Sequence, residues 1–330
     1  MVDAEKMSKS KGNFLMMDEC IEEYTADATR FALADAGDGL EDANFDRSVA
    51  NQAVSYLFVE EEWIKLMLND TESRNDRSAS FSFIEKAFNN EIDFLIAETK
   101  KDFSAMNYRE GLHHGWYDMI INRDIYRDWA QKCGKSMHPD LVSRFAKSLS
   151  LMMQPICPHW SEVIYELLPN TNASICTELW PEFVPYNPNL RKEFLFFKSF
   201  LKTIRNAALK QKSKFVFIFT ASTYEQKKIE VLEFMQRSFS NGTFAPTFLK
   251  DLKGFIEGNE ALKKDTKNLM QFGSFMKSEA EERGLEALMV SLSFDQVSIL
   301  EVSLMVFSCF LVLSFTFLTF RKIKSTCRRY

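Results

Sequence analysis

A short run of lysines and serines near the start of the chain has the residue types needed to hold a polyphosphate. Lys6 and Lys9 lie three positions apart, accompanied by Ser8 and Ser10, and two ammonium groups at that spacing can surround phosphate oxygens. Gly12 permits backbone angles that other residues resist. The chemistry that fits is electrostatic stabilisation of a triphosphate while a carboxylate attacks its α-phosphorus. The alternative is an ordinary solvated loop rich in lysine.

The residues that follow this loop predict one helix and a short polar segment. Residues 24–37 read YTADATRFALADAG. Thr25 suits a helix N-cap, Asp27 suits the first turn, and Gly37 suits the end of the helix. The segment at residues 41–45 reads EDANF. Together, the loop, the helix and this segment form a pattern that is far more specific than residues 6–10 alone.

The letters KMSKS at residues 6–10, continued by GNF and by the two segments above, resemble the class I aminoacyl-tRNA synthetases. The resemblance is to leucyl enzymes of the eukaryotic and archaeal kind in particular. It implies that Lys6 and Lys9 contact ATP phosphates, and that Ser8 and Ser10 shape the loop and add hydrogen bonds. It further implies that Met7 packs inward and that the helix around Arg30 joins the catalytic domain to the bundle that follows.

From Arg47 to about residue 205 the pattern predicts a helical bundle, which the resemblance identifies as the anticodon-binding domain. Expected helices cover about residues 82–101 and 107–131, and a longer one starts near Leu141. The first of these carries an inner face of Ile84, Phe88, Ile92 and Leu95. An earlier stripe of Ala53, Leu57, Trp63, Ile64 and Leu66 is interrupted by Glu60-Glu61-Glu62, and residues 70–80 predict a polar loop.

Prolines interrupt the bundle where residues 153–162 read MQPICPHWSE, a stretch similar to one in the same family. Pro155 and Pro158 are expected to break the helix there. Cys157 and His159 supply only two candidate metal ligands, so a structural role at the bend is favoured over zinc, and no metal site is predicted.

A basic stretch follows the bundle, with eight lysines and arginines and a single acid between residues 191 and 214. Helical spacing predicts that Lys198, Lys202 and Arg205 lie near one face, opposite an apolar face of Phe194, Phe197, Leu201 and Ile204. Such a helix suits contact with RNA phosphates. The alternative is a solvated face rich in lysine.

The remainder predicts a small α+β unit and a hydrophobic tail. Strands are expected at Phe215–Thr220 and Leu288–Phe294, with helices near 224–240, 244–253 and 259–283. Residues 302–320 carry no charge over nineteen positions and are followed by a basic end. This segment is either a membrane anchor or an aberrant end that does not insert, and the second interpretation is favoured.

The expected organisation is mainly α. Residues 1–46 form the end of a class I catalytic domain, 47–205 the helical anticodon-binding domain, 206–300 an α+β region, and 301–330 the hydrophobic segment with its basic tail. A net charge of −5 gives no global nucleic-acid signature. Six scattered cysteines without paired metal spacing favour reduced thiols in the cytoplasm.

The resemblance implies an ATP-dependent leucine–tRNA ligase that uses Mg²⁺ with ATP. Leucine, ATP and tRNA-Leu are its expected substrates, and a complex of several synthetases is a further implied partner. The family's HIGH-type motif, leucine pocket and editing domain are not found in this sequence, so the chain reads as a fragment that should not aminoacylate alone. The alternatives are a non-catalytic tRNA-binding module and, if 302–320 is an anchor, a membrane-tethered pseudo-synthetase.

Overall fold

The computed structural model describes residues 1–39, 44–69, 80–169, 174–211, 215–220, 224–240, 242–290, 294–300 and 314–319. The chain divides into two compact units, one up to Asn206 and the other made of the described residues from Ala207 onward. Residues 1–46 belong to the same compact unit as the helices that follow them.

In its described residues the first unit is helical, apart from the first sixteen residues and the connecting segments. Its helices are α1 (Met17–Tyr24), α2 (Ala26–Ala36), α3 (Arg47–Asn69), α4 (Phe83–Ser104), α5 (Tyr108–Leu112), α6 (Met119–Lys132), α7 (Pro139–Met153), α8 (Pro158–Glu166) and α9 (Pro188–Gln211). A short 3₁₀ turn at Ile175–Thr177 lies between α8 and α9.

Helix α4 shows why the helical prediction held. Ser82 caps its first turn, accepting a hydrogen bond from the Glu85 amide, while the Glu85 carboxylate accepts one from the Ser82 amide. The predicted inner face is confirmed, since all four of its apolar residues are buried. Apolar residues at this spacing form one apolar face of the helix, and burial of that face stabilises its packing against other helices.

The segment predicted as one helix over 107–131 runs from α5 into α6 through a π-helical turn at His113–Asp118. Gly115 lies in this turn, where an added Cβ would come within 3.1 Å of the Thr99 methyl group on α4. His114 contacts the Asp102 carboxylate at 2.8 Å through Nδ1. The widened turn therefore lies where the two helices approach closely, a detail that periodicity alone does not reveal.

Helix α3 departs from its predicted stripe in two ways. Leu66 was expected on the inner face but is 70% exposed. Glu60 was read as part of an acidic interruption but is buried, where it meets Arg123 of α6 through two hydrogen bonds of 2.7 and 2.9 Å. The sequence of α3 contains no sign of that arginine, which lies 63 positions away. Most of the polar loop predicted at 70–80 lies outside the described residues.

The predicted break at the prolines is confirmed. Helix α7 ends at Met153, and α8 begins with Pro158 at its first position, where the missing N–H costs no helical hydrogen bond. Helix α9 also follows the prediction on most of its apolar side, since Phe194, Phe197 and Ile204 are buried, while Leu201 is half-buried.

The second unit combines helices with short strands. Its elements are β1 (Phe215–Thr220), α10 (Gln226–Ser238), β2 (Phe239–Ser240), β3 (Thr243–Phe244), α11 (Phe248–Gly258), α12 (Glu260–Lys263), α13 (Thr266–Arg283) and β4 (Ser314–Thr319). Strand β1 pairs with β4 in parallel, and β2 pairs with β3 in antiparallel fashion. A core of Val231, Leu232, Met235, Leu252 and Ile256 is fully buried among α10, α11 and α13.

Two expectations for this unit have different outcomes. The strand at Phe215–Thr220 is confirmed as β1. The strand at Leu288–Phe294 is wrong for its described residues, because Leu288 ends a 3₁₀ turn that begins at Gly284. The aliphatic residues there pack against the helical core in place of a sheet, as the complete burial of Leu288 shows.

The hydrophobic tail is only partly described. Ser314–Thr319 form strand β4, and the other residues of 302–320 lie outside the described residues. Within the described part of the chain, no helix has the length and apolar character needed to cross a membrane.

Candidate functional site

The KMSKS loop, residues 6–10, lies on the surface ahead of α1. The side chains of Lys6, Lys9 and Ser10 are exposed and that of Ser8 is half-buried. The two serine hydroxyls lie 2.8 Å apart and form a hydrogen bond. Met7 is 47% exposed, so its expected inward packing is wrong. Both lysines are thus free to meet a ligand that approaches from solvent.

Asn13 closes the loop. Its Oδ1 accepts a hydrogen bond from the Ser8 amide at 2.9 Å, and its Nδ2 donates to the Lys6 carbonyl at 3.2 Å. Within the loop, the amide of Gly12 donates to the Ser8 carbonyl at 3.1 Å, with Gly12 at φ +67°. That left-handed angle favours glycine. In the sequence, Asn13 stands out only as part of the family pattern, although asparagine side chains commonly hydrogen-bond nearby backbone groups in turns.

Asn44 and Phe45, the last two residues of the EDANF segment, anchor the base of the loop. Val2 and Phe45 form a parallel bridge, in which the Asp3 amide donates to the Phe45 carbonyl at 2.9 Å. The Ala4 amide donates to Oδ1 of Asn44 at 2.8 Å. Asp3 and Ala4 adopt left-handed angles of φ 49° and 63°. Such angles cost energy in non-glycine residues and persist where neighbouring contacts hold them.

Helix α2 binds the proline turn between α7 and α8. Arg30 donates from Nε to the Ile156 carbonyl at 2.8 Å and from Nη2 to the Pro155 carbonyl at 2.6 Å. The buried carboxylate of Asp27 accepts from the Trp160 amide at 2.6 Å, at the N-terminus of α8. Helix α2, which contains Arg30, is thereby fixed to the bundle; its expected role of joining a catalytic domain to the bundle stays a prediction.

The Cys157 and His159 pair has structural contacts. Nδ1 of His159 lies 2.9 Å from Oδ1 of Asp27, and the side chain is 78% exposed. Cys157 is buried, and burial raises the pKa of its thiol well above the usual value. The described residues contain no group of three histidine, cysteine or carboxylate side chains that could hold a metal ion.

The basic helix divides its charges between two environments. Lys198 was expected on the outer face but is turned toward the bundle, where its Nζ donates to Oδ1 of Asn122 at 3.0 Å. Burial lowers the pKa of Lys198, and the nearby carboxylates of Glu91 and Asp118 partly offset this. That part of the prediction is wrong, because the flexible stem of lysine lets its ammonium group reach the Asn122 amide oxygen on helix α6. Lys202 is exposed.

The other charges of this stretch are described only in part. Arg191 lies 3.3 Å from the Glu91 carboxylate and stacks on Phe94 at 3.5 Å, so it also serves the bundle. Arg205 belongs to helix α9, but its side chain lies outside the described part of the structure. Of the three residues predicted to bind RNA, Lys198 and Lys202 have described side chains, and of these two Lys202 is the exposed one.

Two family models match this arrangement of loop, helices and bundle. Residues 1–61 match tRNA synthetases class I (M), and residues 85–215 match the anticodon-binding domain of tRNA ligase. The first match contains the KMSKS loop with its anchoring segment, and the second contains the helices from α4 to α9. The bundle therefore includes the anticodon-binding domain of a class I tRNA ligase.

Individual relatives indicate which tRNA ligases of this class the chain is similar to. The cytoplasmic leucine–tRNA ligase of Neurospora crassa is 34% identical over 213 residues, which are 64% of this chain and 19% of that protein. The Dictyostelium discoideum enzyme is 32% identical over 317 residues, covering 91% of this chain and 29% of the relative. The Saccharomyces cerevisiae enzyme is 31% identical over 313 residues, covering 90% and 28%.

The chain is a homologue of the cytoplasmic leucine–tRNA ligases, which confirms the predicted resemblance to leucyl enzymes. It spans less than a third of the length of each of these three relatives.

Proposed function

We propose that this chain supplies the ATP-phosphate loop and the tRNA-binding bundle of a cytoplasmic leucine–tRNA ligase. In the proposed reaction the leucine carboxylate attacks the α-phosphorus of ATP, pyrophosphate leaves, and the leucyl group passes to the 3′ end of tRNA-Leu. The observation that supports this role is a closed and anchored KMSKS loop with both lysines exposed. On this proposal, residues 1–46 are the end of the catalytic domain.

The proposed work of the loop is electrostatic. Lys6 and Lys9 would bind the phosphates and offset the negative charge that develops as pyrophosphate leaves. Ser8 and Ser10 would hold the loop shape and add hydrogen bonds. Mg²⁺ would arrive with ATP and neutralise phosphate charge, and no side chain of the described residues is assigned to it. Leucine recognition and editing are likewise assigned to no residue of this chain.

Replacing Lys9 with alanine is expected to weaken binding of inorganic tripolyphosphate about tenfold, because one charge-assisted contact of roughly 1.4 kcal/mol is lost. Isothermal titration of the full chain measures this affinity. Lys11→Ala is the matched control, since Lys11 is an exposed lysine beside the loop that receives no role here. Equal losses in the two variants would mean that the phosphate responds only to general positive charge.

The proposed tRNA contacts lie on helix α9. Lys202 is the exposed candidate, and Arg205 lies three positions further along the same helix. Lys198 is half-buried, with its ammonium group bound to Asn122. A lysine that faces solvent can replace a counterion on an RNA phosphate, whereas an ammonium group bound between helices cannot.

Lys202→Ala is expected to weaken binding of tRNA-Leu severalfold and to reduce the slope of log affinity against log salt by about one. Gel-shift titrations at several salt concentrations measure both quantities. Lys147→Ala on α7 is the control, because Lys147 is also exposed and lies outside the basic stretch. An unchanged salt slope for Lys202→Ala would remove this residue from the proposed interface.

A non-catalytic tRNA-binding module is the second candidate, and the match of residues 85–215 to an anticodon-binding domain favours it. Leucine-dependent pyrophosphate exchange by the purified chain distinguishes the two. Exchange supports the ligase, whereas salt-sensitive tRNA binding without exchange supports the module.

A further inference from the structure

The side chain of Asn13 contacts two positions of the KMSKS loop, Lys6 and Ser8, and the residue that precedes the loop, Glu5. Beyond its bonds to the Ser8 amide and the Lys6 carbonyl, its Nδ2 lies 3.4 Å from the Glu5 carboxylate. A single amide thus holds the backbone at one lysine and at the serine that precedes the other. No charge is added to the loop by this contact, because an asparagine amide is neutral.

The rest of the loop is closed by backbone hydrogen bonds and by the hydrogen bond between the Ser8 and Ser10 hydroxyls. The amides of Lys11 and Gly12 both donate to the Ser8 carbonyl, at 3.2 and 3.1 Å, and the Gly12 amide also approaches the Lys9 carbonyl at 3.3 Å. These bonds form a turn over residues 8–12 but do not reach Lys6. Asn13 is therefore the described side chain that connects the turn carrying Lys9 to the backbone of Lys6.

Anchoring of the loop base is a separate feature. Asn44 binds the Ala4 amide, and Phe45 exchanges backbone hydrogen bonds with residues 1 and 3. These contacts fix where the loop begins, whereas the Asn13 contacts fix how its two lysines lie relative to one another. The two asparagines act on different parts of the same segment.

We propose that Asn13 is a positioning residue that holds Lys6 and Lys9 ready to bind one triphosphate together; this inference rests on the proposed function of the loop. The physical reason is preorganisation. Ordering the backbone of a free loop costs conformational entropy for each residue, and a loop that is already closed has paid that cost before the ligand binds. Without the Asn13 amide, the two ammonium groups would reach the phosphates only after the loop is ordered.

The test is a double-mutant cycle between Asn13→Ala and Lys9→Ala, with tripolyphosphate affinity of the full chain measured by isothermal titration. Asn13→Ala is expected to lower the affinity about fivefold to tenfold, since two hydrogen bonds that order the loop are removed. The double variant is expected to bind about as weakly as Lys9→Ala alone, because Asn13 acts through the lysines. A general effect on folding would not produce this coupling.

Asn51→Ala is the matched control, because Asn51 is an exposed asparagine whose amide also donates to a backbone carbonyl, that of Arg47, at 3.1 Å. Hydrogen exchange adds a direct readout, in which the Ser8 amide should exchange faster in Asn13→Ala and at the native rate in Asn51→Ala.

The outcomes separate the two proposals. If Lys9→Ala weakens binding and Asn13→Ala does not, the positioning role is overturned and the phosphate role of the loop stands. Fully additive losses would also overturn the positioning role, since Asn13 would then act independently of Lys9. If neither Lys9→Ala nor Lys6→Ala changes the affinity, the proposed phosphate role fails and the inference fails with it.

Discussion

Replacing Arg123 with methionine is expected to lower the free energy of unfolding of the helical unit by about 3–5 kcal/mol. The guanidinium is buried, binds both oxygens of the Glu60 carboxylate, and stacks on Trp63 at 3.9 Å. Methionine fills similar space but leaves the buried carboxylate without its partner. An unpaired charge in the interior is among the costliest defects that a single substitution can produce.

The deficit of Arg123→Met should depend on pH. Burial raises the pKa of Glu60 from 4.5 to about 7, with Arg123 the main influence that lowers it. Without the guanidinium the folded-state pKa rises further, and a raised carboxyl pKa favours the folded state at low pH and destabilises it as pH rises. The deficit relative to the natural chain should therefore be larger at about pH 8.5 than at about pH 6.

Urea denaturation followed by circular dichroism at both pH values measures this deficit. The double variant Glu60→Leu with Arg123→Met is the control, because it removes both charges and keeps the apolar volume. It should recover most of the lost stability, since a buried ion pair is often replaceable by well-packed apolar residues. A single variant that unfolds at the same urea concentration as the natural chain would show that the pair contributes little.

The same ion pair shows where sequence reasoning ends. Ile84 and Phe88 were placed on the inner face of α4 from spacing alone, because helical periodicity is a local property of the chain. Glu60 was placed on an acidic interruption, because its environment depends on an arginine 63 positions away that no local pattern reveals. Polar contacts between residues far apart in sequence depend on how the helices pack. Local patterns in a single sequence do not reveal this packing.

In the candidate site, too, local sequence patterns indicated some features, whereas contacts between distant residues were missed. The KMSKS letters and their continuation identified the loop, and the structure places both lysines in solvent. The outward direction predicted for Lys198 is wrong, because its ammonium group donates a hydrogen bond to Asn122, which lies 76 positions away in sequence. Asn13 is an intermediate case. Its hydrogen-bond partners are close to it in sequence, but its proposed role depends on the conformation of the folded loop.

Asp27→Ala is expected to lower the free energy of unfolding by about 2–4 kcal/mol. The carboxylate is buried and accepts the Trp160 amide at 2.6 Å, so it caps the N-terminus of α8 from a helix 133 positions away in sequence. Alanine removes the cap and leaves that buried amide without its acceptor. It also removes a negative charge from the positive end of the helix dipole, which adds to the loss.

Two further variants assign this loss to its cause. Asp27→Asn keeps an oxygen for the Trp160 amide but removes the charge, so it should cost about 1 kcal/mol. His159→Ala removes the other partner of Asp27, and because that imidazole is 78% exposed its loss should cost less than about 0.5 kcal/mol. Urea denaturation of the three variants measures the order. If His159→Ala costs as much as Asp27→Ala, the Asp27–His159 pair, and not the helix cap, is what holds α2 against α8.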